Sequence, residues 1–276
     1  MPKRFSVSLV FLYLLFAAGI AAAENAPLDL DAYEAYEGFV DTWWDEENGR
    51  MLVRVEEFDT PFIYQTSLPR GVGSNDIGLD RGQLGTTKIV RFLRSGPKIL
   101  LVEDNLQFRG GSENAEERRA IDESFARSVI WGFVDIDDDD DSTIVDATAF
   151  FVRDAHGVGA RLAMMGEGSF NVDDSRSAIF LPRTKAFPDN TEIEALVTLV
   201  GTPTGKHLPT VMPDRNALTV HVHHSFIRLP DDNYEPLPHE PRSGVIGLRY
   251  QVGGFLDLSL IHISEPTRQD TRSRIP

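Results

Sequence analysis

Pairs of strand-like segments joined by short turns recur along the chain and constrain its fold more than any other feature. Segments 39–44 and 51–56 flank a DEENG turn, and segments 87–93 and 98–103 flank an RSGP turn. Short turns rich in Asn, Gly and Pro join neighbouring antiparallel strands. The sequence therefore predicts two β-hairpins in its first 103 residues.

Further strand patterns alternate with two helical ones. The other predicted strands are 62–67, 143–146, 178–181, 192–199 and 218–229. A first helix is predicted after an N-cap at Ser112, with Ile121, Phe125 and Val129 on its apolar face, and a second from about 154 to 165. We therefore predict an α+β fold, with mainly antiparallel β-sheet built of hairpins and two inserted helices.

A glycine-rich segment, GVGSNDIGLDRGQLG at residues 71–85, is predicted to form a shaped loop. It matches neither the G-x-x-x-x-G-K-[ST] nor the helix-opening G-x-G-x-x-G phosphate motif, and a strand pattern follows it. Gly73, Asp76, Asp80 and Arg81 are candidates for contact with a substrate cleft or a neighbouring domain. The alternative is an internally satisfied loop in which Asp80 and Arg81 tie it to the strands.

Six blocks carry a resemblance to a known family. They are GFVDTWWDEENGRMLV (38–53), GSNDIGLDRGQLG (73–85), ERRAIDESFARSVIWGF (117–133), VDATAFFVRDAHGV (145–158), SRSAIFLPRTKAFPDNTEIEA (175–195) and HHSFIRLPDDNYEPLPHEPRSG (223–244). In this order, over roughly residues 30–250, they resemble the N-terminal region of secreted bacterial zinc-dependent metalloproteases. In that family the region is a domain of unknown function that precedes a metzincin-like peptidase domain.

The resemblance implies zinc chemistry, but the chain lacks the motif that would perform it. The family's zinc site is expected in an H-E-x-x-H helix, whereas His239-Glu240 is followed by Pro-Arg-Ser. We therefore expect a non-catalytic region that is inactive alone and holds no cofactor, with zinc in a catalytic domain missing from this chain. Its expected partner is its own C-terminal peptidase domain, and a peptide substrate is a further possible partner.

Both ends of the chain carry patterns that differ from the rest. Residues 1–23 have a basic start, an apolar run and a closing Ala-Ala-Ala, which predicts a cleavable signal peptide and a periplasmic or secreted protein. LSLIHISEPTR at 258–268 is similar to a translated transposase adapter, so residues 258–276 are interpreted as a non-native tail; a genuine C-terminal strand is the alternative. Residues 24–257 then form the β-rich domain, with a soft boundary near 135–141.

Charge and cysteine content exclude several functions. The net charge of −16 disfavours nucleic acid and anionic lipid as partners, and no membrane association is expected after signal cleavage. The absence of cysteine excludes disulfides, thiol nucleophiles and cysteine-based zinc sites.

Three histidines are the best metal candidates in the sequence. In a strand, His221 and His223 face one side and His224 faces the other. The first two could share a zinc ion if a third ligand approached, and the sequence identifies none. The alternative is a polar strand face, or a histidine hydrogen-bonded in the core.

Other candidate sites each have a structural alternative. The aspartates of 137–141 suggest either a calcium site or a solvated turn. Asp154 and His156 suggest either a catalytic carboxylate–imidazole pair or an aspartate that caps a helix. The tryptophans suggest either a platform for stacking a sugar or packing in the core. A basic patch is predicted around the FLPRTK segment. The tryptophans are Trp43, Trp44 and Trp131, and the basic residues are Arg176, Arg183 and Lys185. A stand-alone periplasmic module that binds a peptide or glycan through the glycine-rich loop and a tryptophan is therefore the alternative function; a histidine-based metal-binding protein is a third.

Overall fold

A computed structural model describes residues 28–106, 108–110, 114–138, 142–231, 251–253 and 268–269. The predicted signal peptide, the His239-Glu240 pair and Ser112 lie outside the described residues, as does the predicted tail apart from residues 268–269. Antiparallel β-sheet dominates the described part.

The described strands range in length from 2 to 14 residues. They are β1 (Glu34–Tyr36), β2 (Thr42–Asp45), β3 (Arg50–Val55), β4 (Phe62–Leu68), β5 (Gln83–Leu84), β6 (Lys88–Ser95), β7 (Lys98–Glu103), β8 (Phe108–Gly110), β9 (Ser128–Asp138), β10 (Thr143–Asp146), β11 (Gly168–Val172), β12 (Ala178–Ile179), β13 (Lys185–Phe187), β14 (Asn190–Pro203), β15 (Ala217–Arg228), β16 (Gln251–Gly253) and β17 (Arg268–Gln269).

Four short α-helices connect the strands of the described part. They are α1 (Ala115–Ser124), α2 (Thr148–Phe151), α3 (Val158–Met164) and α4 (Leu208–Val211), with 3-10 turns at Leu30–Ala32, Asp174–Arg176 and Leu181–Arg183. Among the described helices, none combines the length and the apolar character that crossing a membrane requires.

One large sheet runs in the order β1-β2-β3-β10-β9-β7-β6-β4-β15-β14-β11, with β5 paired to β4 and both β12 and β13 paired to β14. All of its named strand pairs are antiparallel. A small sheet of β17, β16 and β8 contains a parallel pair, β16 with β8.

The large sheet curls until its first strands approach β13 and β14. The Phe39 N–H donates to the Phe187 carbonyl at 2.8 Å, and the Val40 N–H donates to Thr191 Oγ1 at 3.0 Å. The Thr191 hydroxyl in turn donates to the Val40 carbonyl at 2.9 Å. These contacts nearly close the sheet into a barrel and define an inner and an outer face.

An aromatic core fills the inner face. Phe150 and Phe151 of α2 are fully buried and pack against rings from β4 and β15, including Tyr64 and Phe226. A smaller apolar cluster lies on the outer face, where Trp43, Leu52 and Ile144 are covered by Leu28, Leu30 and Tyr33. The helix α2 therefore plugs the barrel-like sheet, and the start of the described chain covers part of its outside.

The structure confirms the antiparallel, β-rich α+β architecture and both predicted hairpins, β2-β3 and β6-β7. The prediction of two inserted helices is wrong in number, because α2 and α4 are single turns that carry no helical period in the sequence. The predicted second helix corresponds to α3, which begins later than expected, at Val158.

The first predicted helix is correct only in its first half. It ends at Ser124, so Phe125 and Val129 lie outside it, and its N-cap is Asn114, whose side chain accepts from the Glu116 N–H. Residues from Ser128 onward instead form β9, which pairs with β7 and β10. Pairing on both edges favours the extended backbone of this β-branched and aromatic segment.

Candidate functional site

The three candidate histidines lie on β15, and the strand separates them by face as predicted. His224 lies on the inner face with Val222 and Phe226, whereas His221 and His223 lie on the outer face. Their neighbours across the strand pair are the carboxylates of β14, with Glu194 directly opposite His223. The structure therefore does not bring all three imidazoles together.

Two glutamates and two histidines form a hydrogen-bonded group, the Glu–His cluster of Glu192, Glu194, His221 and His223. His221 Nδ1 lies 2.6 Å from Glu194 Oε1, and His223 Nε2 lies 2.7 Å from Glu192 Oε2. His223 Nδ1 lies 3.4 Å from the second oxygen of Glu194, which links the two pairs. Glu194 and His221 are buried, and the other two are partly buried.

Electrostatics in the Glu–His cluster favour charged partners. Burial acts to lower the pKa of His223, but its hydrogen bond to Glu192 and the charges of Glu192 and Glu194 outweigh burial and raise it. Burial acts to raise the pKa of Glu192, but hydrogen bonds from His223, Ser225 and Asn190 outweigh burial, so the pKa of Glu192 is lowered. The arrangement can hold a proton between imidazole and carboxylate.

Metal binding by this group gains no support from the geometry. Within the described residues, no set of three or more His, Asp or Glu side chains is arranged to hold a metal ion. Three of the four nitrogens of His221 and His223 already face glutamate oxygens. The glutamates are the partners that sequence reasoning missed; their signal was the alternating E-x-E of β14, which matches the H-x-H of β15.

His224 is a core histidine, in agreement with the structural alternative. It is fully buried, its Nε2 donates to the Phe151 carbonyl at 3.0 Å, and its Nδ1 lies 2.8 Å from the Tyr64 hydroxyl. Since the carbonyl can only accept, Nε2 carries a proton, and in the neutral ring Nδ1 accepts from the Tyr64 hydroxyl. Burial, with the nearby charge of Arg153, lowers the pKa of His224 to about 3.

The glycine-rich loop is anchored through its backbone and its apolar side chains. Ile77 and Leu79 are buried in the core, and the Gly82 N–H donates to the Leu68 carbonyl at 2.7 Å. At Gly78, φ is 71° and a side chain would collide with the Arg161 guanidinium, whose Nε donates to the Ile77 carbonyl at 2.8 Å. Glycine is thus required where α3 approaches the loop.

The charged candidates of this loop are exposed. Asp76 Oδ2 lies 3.4 Å from His207 Nδ1, and Gly73, with φ of 98°, lies beside Val211. Within the described residues, no hydrogen bond or ion pair joins the side chains of Asp80 and Arg81 to the strands. The loop is therefore held to the rest of the chain by its backbone and apolar side chains, and not by Asp80 and Arg81. Its contact with a substrate or another domain stays a prediction.

Asp154 caps a helix and does not pair with His156. Its carboxylate accepts hydrogen bonds from the N–H groups of Gly157, Val158 and Gly159 at 2.8–3.0 Å, at the start of α3. His156 Nδ1 instead lies 3.5 Å from Thr66 Oγ1. The capping interpretation is confirmed.

Removing this cap is expected to destabilise the fold measurably. Asp154→Ala leaves three N–H groups of α3 without their acceptor and should lower the free energy of unfolding by about 1–2 kcal/mol. Asp154→Asn keeps one side-chain acceptor and should cost less. Urea unfolding of both variants tests this, and an Ala variant as stable as the wild type would contradict the capping role.

The remaining candidates are mostly committed to protein contacts. Trp43 is buried on the outer face under Arg54, whereas Trp44 and Trp131 pack against the main core. Asp137 accepts from the Leu28 N–H, and Asp138 pairs with Arg94; both belong to β9 and not to a turn. Residues 139–141 lie outside the described part.

The predicted basic patch is only partly neutralised. Arg176 pairs with Asp173 at 2.7 Å, whereas Arg183 and Lys185 are exposed and form no ion pair within the described residues. The segment that carries them lies along β14, next to the Glu–His cluster.

Arg153 is a functional candidate that sequence reasoning missed. Its guanidinium lies 4.7 Å from the Phe150 ring centroid and 5.5 Å from that of Trp131. Its Nε is buried and has no hydrogen-bond partner, and the side chain forms no ion pair within the described residues. No pattern in the local sequence marks it, because its burial results from the neighbouring turn α2.

Comparison with protein families gives one match. The family model described as Domain of unknown function (DUF5117) matches residues 82–251, more than half of the chain. The matched region includes the Glu–His cluster, His224 and Arg153. No curated protein and no solved structure matches the chain.

Proposed function

The chain belongs to the DUF5117 family of domains of unknown function, and on this premise we propose that it is the non-catalytic N-terminal region of an exported zinc-dependent metalloprotease. In this proposal it packs against a separate peptidase domain and helps to shape the cleft of that domain. The six ordered sequence blocks support the link to the protease family. The zinc ion and the peptide chemistry belong to the peptidase domain.

The observation that carries the docking proposal is an apolar strip on the outer face of β9. The β9 strip consists of Val129, Val134 and Ile136, which are 59%, 62% and 43% exposed. Soluble proteins seldom leave several large apolar side chains together on one strand in contact with water. Such a strip is typical of a surface that another domain covers.

The β9 strip lies on the outer face of the sheet, and another segment of the chain already covers a neighbouring part of this face. Ile144 on the adjacent strand β10 and Leu52 on β3, one strand further, are buried on the same outer face under Leu28 and Leu30. Apolar side chains on the outer face of this sheet are therefore already buried by a segment outside the sheet, and we expect the β9 strip to be buried in the same way. The peptidase domain is the proposed occupant of the β9 strip.

A binding titration tests the docking. The proposed peptidase domain, identified by its H-E-x-x-H motif, would be produced separately and titrated with residues 24–257. We expect Val134→Glu with Ile136→Glu to weaken the complex at least about tenfold, because two charges would be buried at the interface.

Met164→Glu is the matched control, because Met164 is 68% exposed on α3, outside both the β9 strip and the glycine-rich loop. It should leave the affinity unchanged. Equal effects of the two changes, or a native stop codon with no downstream zinc motif, would contradict the proposal. Residues 24–257 alone should not hydrolyse casein in a zinc-dependent, chelator-sensitive way.

The alternative, a stand-alone periplasmic module that binds a peptide or glycan, is favoured by one observation. Trp131 is partly exposed and lies next to Arg153, which has no ion-pair partner within the described residues. A tryptophan beside an available cation is a common arrangement for holding a small polar ligand. Saturable ligand binding by a protein that ends naturally at this chain would favour this alternative.

A further inference from the structure

Arg153 is a partly buried cation that lacks a counter-ion. Within the described residues its guanidinium forms no ion pair, and its buried Nε has no acceptor. The nearest carboxylate in sequence, Asp154, is engaged by three N–H groups of α3. Partial burial of a charge without a partner is costly, so this position calls for an explanation.

The surroundings of Arg153 are aromatic and neutral. The rings of Phe150 and Trp131 flank the guanidinium, and cation–π contacts of this kind contribute roughly 0.5–2 kcal/mol. The positive charge also acts on Tyr64 and His224, the buried pair behind these rings: it opposes the rise that burial causes in the pKa of Tyr64 and adds to the fall in the pKa of His224. Arg153 also donates a hydrogen bond to the Tyr64 hydroxyl oxygen, but neither Tyr64 nor His224 is a counter-ion, because both are uncharged.

We propose that Arg153 anchors a binding site for an organic carboxylate, whose apolar part lies against Trp131. A guanidinium presents parallel N–H donors that match the two oxygens of a carboxylate. Both Arg153 and Trp131 are partly exposed, so a ligand can approach from solvent. The bound carboxylate would supply the negative charge that no side chain of the described residues provides at Arg153, and an acceptor for its unpaired Nε.

The aromatic walls favour an organic acid over an inorganic anion. Phosphate or sulfate would lose hydration beside Trp131 without gaining apolar contact, whereas a carboxylate with a hydrocarbon group gains an ion pair with Arg153 and an apolar contact with Trp131. The overall charge of −16 also makes anion capture unfavourable anywhere that lacks such a specific cation. The proposal does not depend on docking of a peptidase domain.

The carboxylate could come from a peptide C-terminus or from an acidic side chain, and the test separates these sources. Residues 24–257 would be titrated with N-acetyl-leucine, with its amide, and with an amidated peptide that carries one internal glutamate, while tryptophan fluorescence is followed. We expect saturable binding of at least one acid and none of N-acetyl-leucinamide. The acid that binds more tightly identifies the source.

Two variants assign the binding to Arg153. Arg153→Met should weaken acid binding at least about tenfold, and Arg153→Lys, which keeps the charge but not the paired donors, should fall between Met and wild type. Trp131→Phe should remove most of the fluorescence change while calorimetry still detects binding. Thermal unfolding of each variant confirms that the protein is folded.

Several outcomes would overturn the proposal. Absence of saturable binding by either acid, unchanged affinity in a folded Arg153→Met protein, or equal binding of the amide would each exclude a carboxylate site at Arg153. Tighter binding of inorganic phosphate than of N-acetyl-leucine would exclude an organic acid as the ligand class.

Discussion

Lowering the pH from 7 to 4 is expected to reduce the free energy of unfolding by about 3 kcal/mol through His224 alone. Burial lowers the pKa of His224 to about 3 in the folded protein, whereas the unfolded chain has the ordinary value of 6.5. Between these values the unfolded state binds a proton that the folded state excludes. The contribution of His224 is therefore complete above pH 6.5 and is lost progressively as the pH falls towards 3.

The neighbouring histidine acts over a different pH range. The pKa of His223 is raised in the folded state, so its contribution is complete below pH 6.5 and is lost as the pH rises through the folded value. The pKa of Glu192 is lowered, so its contribution is complete above about 4.5 and is lost as the pH falls through the folded value. Between pH 6.5 and 4.5, these two groups add little slope, and His224 dominates among the three.

Urea unfolding at several pH values measures this effect. His224→Gln removes the titration and can still donate to the Phe151 carbonyl, so its stability should be lower at pH 7 but change less between pH 6.5 and 4.5. His223→Gln, on the opposite face of the same strand, should keep the wild-type slope in this range. A His224→Gln protein with the wild-type slope would show that the acid sensitivity arises elsewhere.

Local hairpins could be predicted from the sequence, whereas the order of the sheet could not. The β2-β3 and β6-β7 pairs are joined by short turns, so the turn residues and the strand period suffice. The pairing of β3 with β10, and of β4 with β15, joins segments that are far apart in sequence. These pairings depend on the packed core, for which a single sequence carries no local signal.

The boundary between α1 and β9 shows how a local pattern can be overridden. Ile121, Phe125 and Val129 repeat at helical spacing, but only Ile121 lies in the helix. The segment from Ser128 is rich in β-branched and aromatic residues, and strand partners are available on both of its edges. Tertiary pairing thus decides the conformation where the local preferences conflict.

The sequence could predict the face of the strand on which each candidate histidine lies, but not the residues of other strands that contact it. The period of two placed His221 and His223 on one face and His224 on the other, and the structure agrees. The partners of the first two lie on β14, and a cross-strand register is needed to identify them. Arg153 became a candidate only when the structure placed it beside two aromatic rings.

Truncation of Phe150 is expected to be among the most damaging single changes in the chain. Phe150 is fully buried, and its ring lies 5.4–5.9 Å from the rings of Tyr64, Trp131 and Phe133, which come from strands β4 and β9. Phe150→Ala would leave a cavity where α2 plugs the barrel-like sheet. We expect the free energy of unfolding to fall by about 3–5 kcal/mol.

Two matched substitutions separate cavity formation from the loss of an aromatic ring. Phe150→Leu keeps most of the volume and should cost less than the Ala change, whereas Phe187→Ala, at a ring that is 45% exposed, should change stability by no more than about 0.5 kcal/mol. Urea midpoints of the three variants provide the measurement. If Phe150→Ala were no more destabilising than Phe187→Ala, α2 would not be the plug of the core. Because Phe150 also flanks Arg153, its Leu variant should bind carboxylates more weakly while remaining folded, which connects the stability of the core to the proposed site.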